Sequence, residues 1–217
     1  MKRPDHLISP AAIYSESFRL IDEALKGHSF GPQEYAIMRR VIHATADLDY
    51  ARTLAFHPLA IQEGLAALKR GTELIVDVRM VETGIRQKEL KSLGCQICCL
   101  IDDPEVEREA DKRGITRSAV AVRRIVKEGH EAPGSIWVIG SSPTALLELL
   151  SLVREGAAPP TLIVGVPVGF VLAEAAKEEL WRLDHPAWIT ARGRKGGSSV
   201  AVAIVNALLL MAHERES

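Results

Sequence analysis

Over the first part of the chain, apolar positions recur at spacings of three and four. Phe18, Ile21 and Leu25 form one stripe, and Tyr35, Met38, Val41 and Ile42 form another behind Pro32. Both stripes predict amphipathic helices, and a proline suits the first turn of the second. A third helical segment, 58–69, closes near Gly71, a residue suited to a left-handed cap. The rhythm then changes. Residues 74–78, 97–101, 136–139, 161–166 and 187–190 are short apolar runs rich in β-branched side chains. Such runs read as strands buried on both faces. Helical stretches separate them. One is charged, over 105–112; another is marked by Ile115, Ala119, Val122 and Val126, with Thr116 as its cap. The alternation predicts an α/β protein: a three-layer α/β/α arrangement around a mainly parallel sheet of about five strands, preceded by N-terminal helices. Residues 1–217 read as a single domain.

In open parallel sheets, ligands bind beyond the carboxyl ends of the strands. The polar and glycine-rich residues of this chain fall there. The runs lead into loops at 79–84, at Asp102-Asp103-Pro104, at Gly140-Ser141-Ser142-Pro143-Thr144 and at Gly165-Val166-Pro167-Val168-Gly169. Pro143 and Pro167 are expected to make rigid turns at helix starts. The last run leads into Arg192-Gly193-Arg194-Lys195-Gly196-Gly197-Ser198-Ser199, ahead of a long helix. Glycines let a backbone approach a ligand, and free N–H groups at a helix start favour anions. This loop is either a carboxylate or phosphate cradle or a flexible basic turn. It does not match GxxxxGK[ST], and no segment matches GxGxxG.

Two single residues stand out. His43 closes the second helix, where an imidazole is either a proton donor near neutral pH or simply a partner for the helix dipole. Nothing local separates it from His28 or His57. Asp77 lies inside an apolar strand. A buried carboxylate needs partners, so it anchors loops or serves a site.

Composition narrows the classes. The chain has 217 residues, 47% hydrophobic and 25% charged, which excludes a disordered or collagen-like chain. Lys+Arg is 27 and Asp+Glu is 28, for a net charge of −1, so no global basic field draws in nucleic acid. Cys95, Cys98 and Cys99 are odd in number and too close for a disulfide framework. Their CxxC string lacks the second ligand pair of a zinc site, so no metal is expected. They read as small core side chains in a reducing, cytoplasmic protein. The opening MKRPDHLISP has no hydrophobic segment of a secretory leader. The most apolar stretch, 200–212, is interrupted by Asn206. It is shorter than the roughly 20 residues of a membrane span, and is expected to be a core helix.

Taken together, several segments resemble the precorrin-8X methylmutase family, corrin-ring isomerases of cobalamin biosynthesis. They are Glu16-Ser17-Phe18-Arg19-Leu20-Ile21, RRVIHATAD from Arg39, DVRMVETGI from Asp77, TRSAVAVR from Thr116, SSPTALLELL from Ser141, GVPVGFVLAEAAKEEL from Gly165 and RGRKGGSSVAVAIVNALL from Arg192. They occur in family order and span nearly the whole chain. Ser141-Ser142, where the family more often shows Asn-Ala, and the Cys98-Cys99 pair are departures.

The resemblance implies that a methyl group moves from C11 to C12 of precorrin-8X, or of cobalt-precorrin-8, giving hydrogenobyrinate or cobyrinate. The shift is formally a [1,5]-sigmatropic rearrangement and needs no cofactor. By resemblance His43 is the general acid, protonating a ring nitrogen. Ser17, Thr83 and Arg117 are contacts that orient the macrocycle. Arg192, Arg194, Lys195, Gly196, Gly197 and Ser198 are expected to meet its carboxylate arms. The implied partners are the corrinoid substrate and product and a second subunit in a homodimer, with no nucleic acid and no membrane. Two rival readings remain at this point: a non-catalytic corrinoid carrier, and an α/β phosphate- or nucleotide-binding protein.

Overall fold

The computed structural model describes residues 9–128 and 134–213, so the leader reading, which falls on residues 1–8, lies outside the described residues. Helices α1 (Pro10–Ala24), α2 (Pro32–Thr45) and α3 (Tyr50–Thr53) precede strand β1 (Leu54–Phe56). There follow α4 (Ala60–Lys69), β2 (Glu73–Val76), α5 (Arg79–Gly84), α6 (Gln87–Ser92) and β3 (Gln96–Cys98). Next come α7 (Pro104–Arg113), α8 (Arg117–Lys127), β4 (Ile136–Ile139), α9 (Pro143–Arg154) and β5 (Leu162–Gly165). The chain ends with α10 (Ala173–Trp181), β6 (Ala187–Ala191) and α11 (Ser198–His213).

The strands form one sheet in the order β1-β6-β5-β4-β2-β3. All neighbours are parallel except β1, which runs antiparallel to β6 with Leu54 opposite Ala191 and Phe56 opposite Ile189. The sheet therefore has six described strands, against the expected five or so. β1 escapes a sequence reading because three residues are too few to show a period of two. Two local expectations are corrected. Residues 79–84 form helix α5 rather than a loop, turned inward by the buried Val81. Pro143 opens α9, but Pro167 lies well before α10, which starts behind Leu172 in the left-handed region at φ 64°.

Alternate strand residues face opposite layers. Leu74, Val76, Val138, Val164 and Ile189 pack with α2, α4 and α11. Ile75, Trp137, Ile139, Ile163 and Trp188 pack with α8, α9 and α10. Helix α11 touches the sheet on one side and α2 on the other, which explains why it is apolar nearly all round. Asn206, the interruption in that stretch, accepts from the Arg86 N–H at 2.8 Å and donates to the Gly84 carbonyl at 3.0 Å. It thereby ties the end of α5 to α11. Gly84 itself has no room for a side chain, since a Cβ there would lie 2.7 Å from Val202.

Candidate functional site

Crevices open at the carboxyl edge where adjacent strands send their helices to opposite faces, and two of them lie at β2/β4 and β5/β6. Strand β2 leads into α5 on the α11 side, and its neighbour β4 leads into α9 on the other. Strand β5 leads into α10 on the α9 side, and its neighbour β6 leads into α11.

The first crevice is filled by Asp77, at the end of β2. Its carboxylate accepts from the backbone N–H groups of Gly140 at 3.1 Å, Ser141 at 2.7 Å and Ser142 at 2.8 Å. Burial pushes the carboxyl above its usual range, and the three N–H groups pull it back. Of the two roles open from sequence, the geometry is that of a loop anchor. Gly140 is wedged so tightly that a Cβ would meet Ser198 and Ala201 at 2.9 Å.

The second crevice is bridged by backbone. The Gly197 N–H donates to the Val166 carbonyl at 2.8 Å, and the Gly169 N–H to the Arg194 carbonyl at 3.2 Å. Gly196 lies so close that a Cβ would fall 2.2 Å from the Val166 oxygen, so only glycine fits. Beyond this seam the β5–α10 loop turns outward. Val168, Phe170 and Val171 are exposed, Phe170 to 89%. Met80, at the start of α5, is exposed as well.

His43 is exposed in the last turn of α2. Its ring stacks on Phe18 of α1, with centroids 5.0 Å apart and planes 15° apart, and meets the edge of Tyr14 at 5.2 Å. The Tyr14 hydroxyl accepts from Arg40 at 3.1 Å. Behind Phe18, Arg39 lies over the opposite part of this cluster, 4.1 Å from the ring centroid, and pairs with Asp22 at 3.0 Å. The imidazole is thus fixed in plane by its neighbours while its edge stays open to a ligand. Ser17 sits beside Phe18 on α1, half-buried, its hydroxyl donating to the Ile13 carbonyl at 2.8 Å.

The remaining predicted residues are spread along the edge. Thr83 is exposed on α5. Arg117 is the first residue of α8, 3.9 Å from Glu107. The neighbouring Thr116 hydroxyl lies 2.6 Å from that of Thr144, which holds the starts of α8 and α9 together. Arg192, Arg194 and Lys195 do not converge on one point. Arg192 lies over Trp181 at 4.4 Å; Arg194 lies 3.7 Å from Glu174 and 5.7 Å from the Phe170 ring. Lys195 pairs with Asp47 at 2.6 Å and Asp49 at 2.7 Å. Ser198 is buried at the start of α11. Away from these residues, a groove of about 970 Å³ between α7 and α8 is lined by charged side chains such as Arg108, Arg123 and Glu128.

Sequence reasoning missed three parts of this arrangement. Tyr14 and Phe18, four residues apart on α1, had a helical signal. Lys177 had one too, because Ala173, Ala176, Lys177 and Leu180 form a buried stripe on α10. Its ammonium donates to the Lys195 carbonyl at 2.5 Å, and burial lowers it to about 8. The pairing of Lys195 with Asp47 and Asp49 had no signal, since those residues lie far apart in the chain.

Comparison with known proteins shows what the chain is similar to. The family model described as Precorrin-8X methylmutase matches residues 12–211. The chain is 43% identical to the cobalt-precorrin-8 methylmutase of Priestia megaterium, over 94% of this chain and 89% of that one. It is 40% identical to the precorrin-8X methylmutase of Pseudomonas aeruginosa, over 98% of this chain and 99% of that one. Among solved structures, the precorrin-8X methyl mutase of Thermus thermophilus superposes with a TM-score of 0.84 at 38% identity, covering 93% of this chain and 96% of that one.

Proposed function

The chain belongs to the precorrin-8X methylmutase family, and from that premise we propose how its own residues carry out the isomerisation, with His43 as the acid. The protein is an isomerase, as the methylmutases it matches are, and in this reading it moves a methyl group from C11 to C12 of the corrin precursor. The observation that carries the reading of the site is His43 itself. It is exposed, stacked on Phe18 and edged by Tyr14, close to the strand-end loops.

The substrate is a flat, conjugated ring with carboxylate arms. Protonation of a ring nitrogen by His43 withdraws electron density from the conjugated system and eases migration of the methyl group. Stacking on Phe18 fixes the plane in which the proton is delivered, and such positioning lowers a barrier without new chemistry. Met80, Val168, Phe170 and Val171 offer the apolar ring a floor. Ser17, Thr83, Arg117, Arg192 and Arg194, with the backbone of Gly196 and Ser198, orient the arms, whereas the Gly197 N–H is already given to the Val166 carbonyl. In this reading the enzyme works in the cytoplasm as a homodimer with the site near the subunit boundary. The macrocycle is taken metal-free or with cobalt already in place.

Anaerobic turnover followed by visible absorbance tests this. Wild type is expected to convert precorrin-8X or its cobalt form to the fully conjugated product. His43→Ala is expected to lose about 10²–10⁴-fold in kcat while still binding product. Equal rates in the two proteins would remove His43 as the acid. Tight product binding with no turnover by wild type would make the protein a carrier.

A further inference from the structure

We propose that Lys195 is a positioning residue that holds the His43 end of α2 against the β6–α11 loop, and does not grip a substrate carboxylate. This rests on the isomerase reading above.

The geometry comes from both ends of the residue. Its ammonium sits between Asp47 and Asp49, at 2.6 and 2.7 Å. Those carboxylates follow α2 directly, and Asp47 comes just after the left-handed Ala46 that ends the helix carrying His43. Tyr50, buried just after Asp49, approaches the Gly196 backbone of the same loop. At the other end, the Lys195 carbonyl accepts from Lys177, a lysine only 1% exposed on α10. One residue therefore connects α10, the loop across the β5/β6 crevice, and the helix that carries the acid.

The alternative use of Lys195 is chemically poor. Two carboxylates already neutralise its charge, and their attraction holds the ammonium well above its ordinary pKa while lowering that of Asp47. An incoming carboxylate arm would meet −2 of aspartate charge beside +1 of lysine. Among the described residues, Arg192 and Arg194 carry no such double pairing.

The two roles make opposite predictions for the aspartates. If Lys195 bound substrate, Asp47→Asn with Asp49→Asn would free its ammonium and lower KM. As a tether, the same double variant loosens α2 and lowers kcat. The experiment compares kcat and KM for wild type, K195M, K195R, D47N/D49N and K195M/D47N/D49N. We expect kcat to fall about 10–100-fold in K195M and in D47N/D49N with KM within about threefold, since small misplacements of a reacting group have effects of that order. K195R, which can still span both carboxylates, is expected to keep most of the activity. The combined variant should be no worse than K195M, because all three changes cut one link. A raised KM with preserved kcat in K195M, a lowered KM in D47N/D49N, or additive losses would each overturn the proposal. Absence of turnover by wild type is a separate result that removes the isomerase reading and this proposal with it.

Discussion

The β4–α9 and β5–α10 loops are built on one plan, a buried strand running through glycine and proline into a helix, yet they do opposite things. In the first, every backbone N–H from Gly140 to Ser142 points to Asp77, and Ser142 then caps α9 by accepting from Ala145. Nothing large or apolar emerges. The second is pinned only at its base, by Val166 and Gly169. Beyond that it runs through Phe170 and Val171 to a helix start with no side-chain cap, at a Leu172 in the left-handed region. A non-glycine residue there carries strain that its surroundings must offset. The contrast separates scaffold from exposed surface at one sheet edge: where polar groups are satisfied from within, the loop is structural, and where apolar groups face outward, it is free to make contacts.

The sharpest way to break the comparison is Asp77→Asn. An amide retains one acceptor oxygen and turns an NH₂ group toward backbone donors, so at least one buried N–H loses its partner. Hydrogen bonds to a charged group contribute about 1.5–3 kcal/mol each, so a loss of about 2–4 kcal/mol is expected. That corresponds to a Tm lower by very roughly 4–15 °C for a chain this long. A thermal melt that leaves Tm within a degree or two would show that the β4–α9 loop holds itself without Asp77.

A smaller effect comes from Lys177, which braces the base of the second loop's helix. Burial lowers its ammonium to about 8 from an ordinary 10.5, so between those values the unfolded chain binds the proton that the folded chain has released. Stability attributable to this group therefore rises with pH across that window and is flat below it. Lys177→Met has no such proton. Its Tm relative to wild type should fall as pH goes from 8 to 10, by no more than the roughly 1.4 kcal/mol per pH unit that one proton allows. Groups shared by both proteins, such as Cys98, raised to about 11 by burial, cancel in the difference. A Tm gap independent of pH would mean that Lys177 keeps its charge throughout.

Much of this was legible in the chain, for identifiable reasons. Strands such as 136–139 and 162–165 are buried on both faces, so their composition alone marks them. Helix α11 could be read as a core helix because its polar break, Asn206, is single. β1 was not legible, because three residues pairing antiparallel at an edge leave no pattern. Helix α5 was mistaken for a loop because its six residues bury only Val81. For the site, His43 carried no local mark of its own. What distinguishes it is tertiary: a stacked phenylalanine from one helix and an open edge. The rim of cations was legible as charge but not as geometry, since Trp181, Glu174 and the Asp47–Asp49 pair that hold Arg192, Arg194 and Lys195 come from distant segments.

The smallest effect on stability, and the one that sharpens the comparison most, belongs to Phe170→Ala. A side chain 89% exposed contributes almost nothing to folding, so Tm should change by no more than about 0.5 kcal/mol would produce. Covering a phenylalanine with an apolar ring, by contrast, is worth about 1.5–3 kcal/mol, or roughly 10–100-fold in affinity. Absorbance titration of the corrinoid product into wild type and F170A should therefore separate the curves by about that factor while the melts overlay. A lowered Tm would place the loop tip in the scaffold, as the β4–α9 loop is. An unchanged affinity with a changed sedimentation coefficient would give the tip to a contact with another copy of the chain. Weaker binding without either change would leave the tip doing what its exposure implies: the surface is apolar and uncovered because its partner is the substrate.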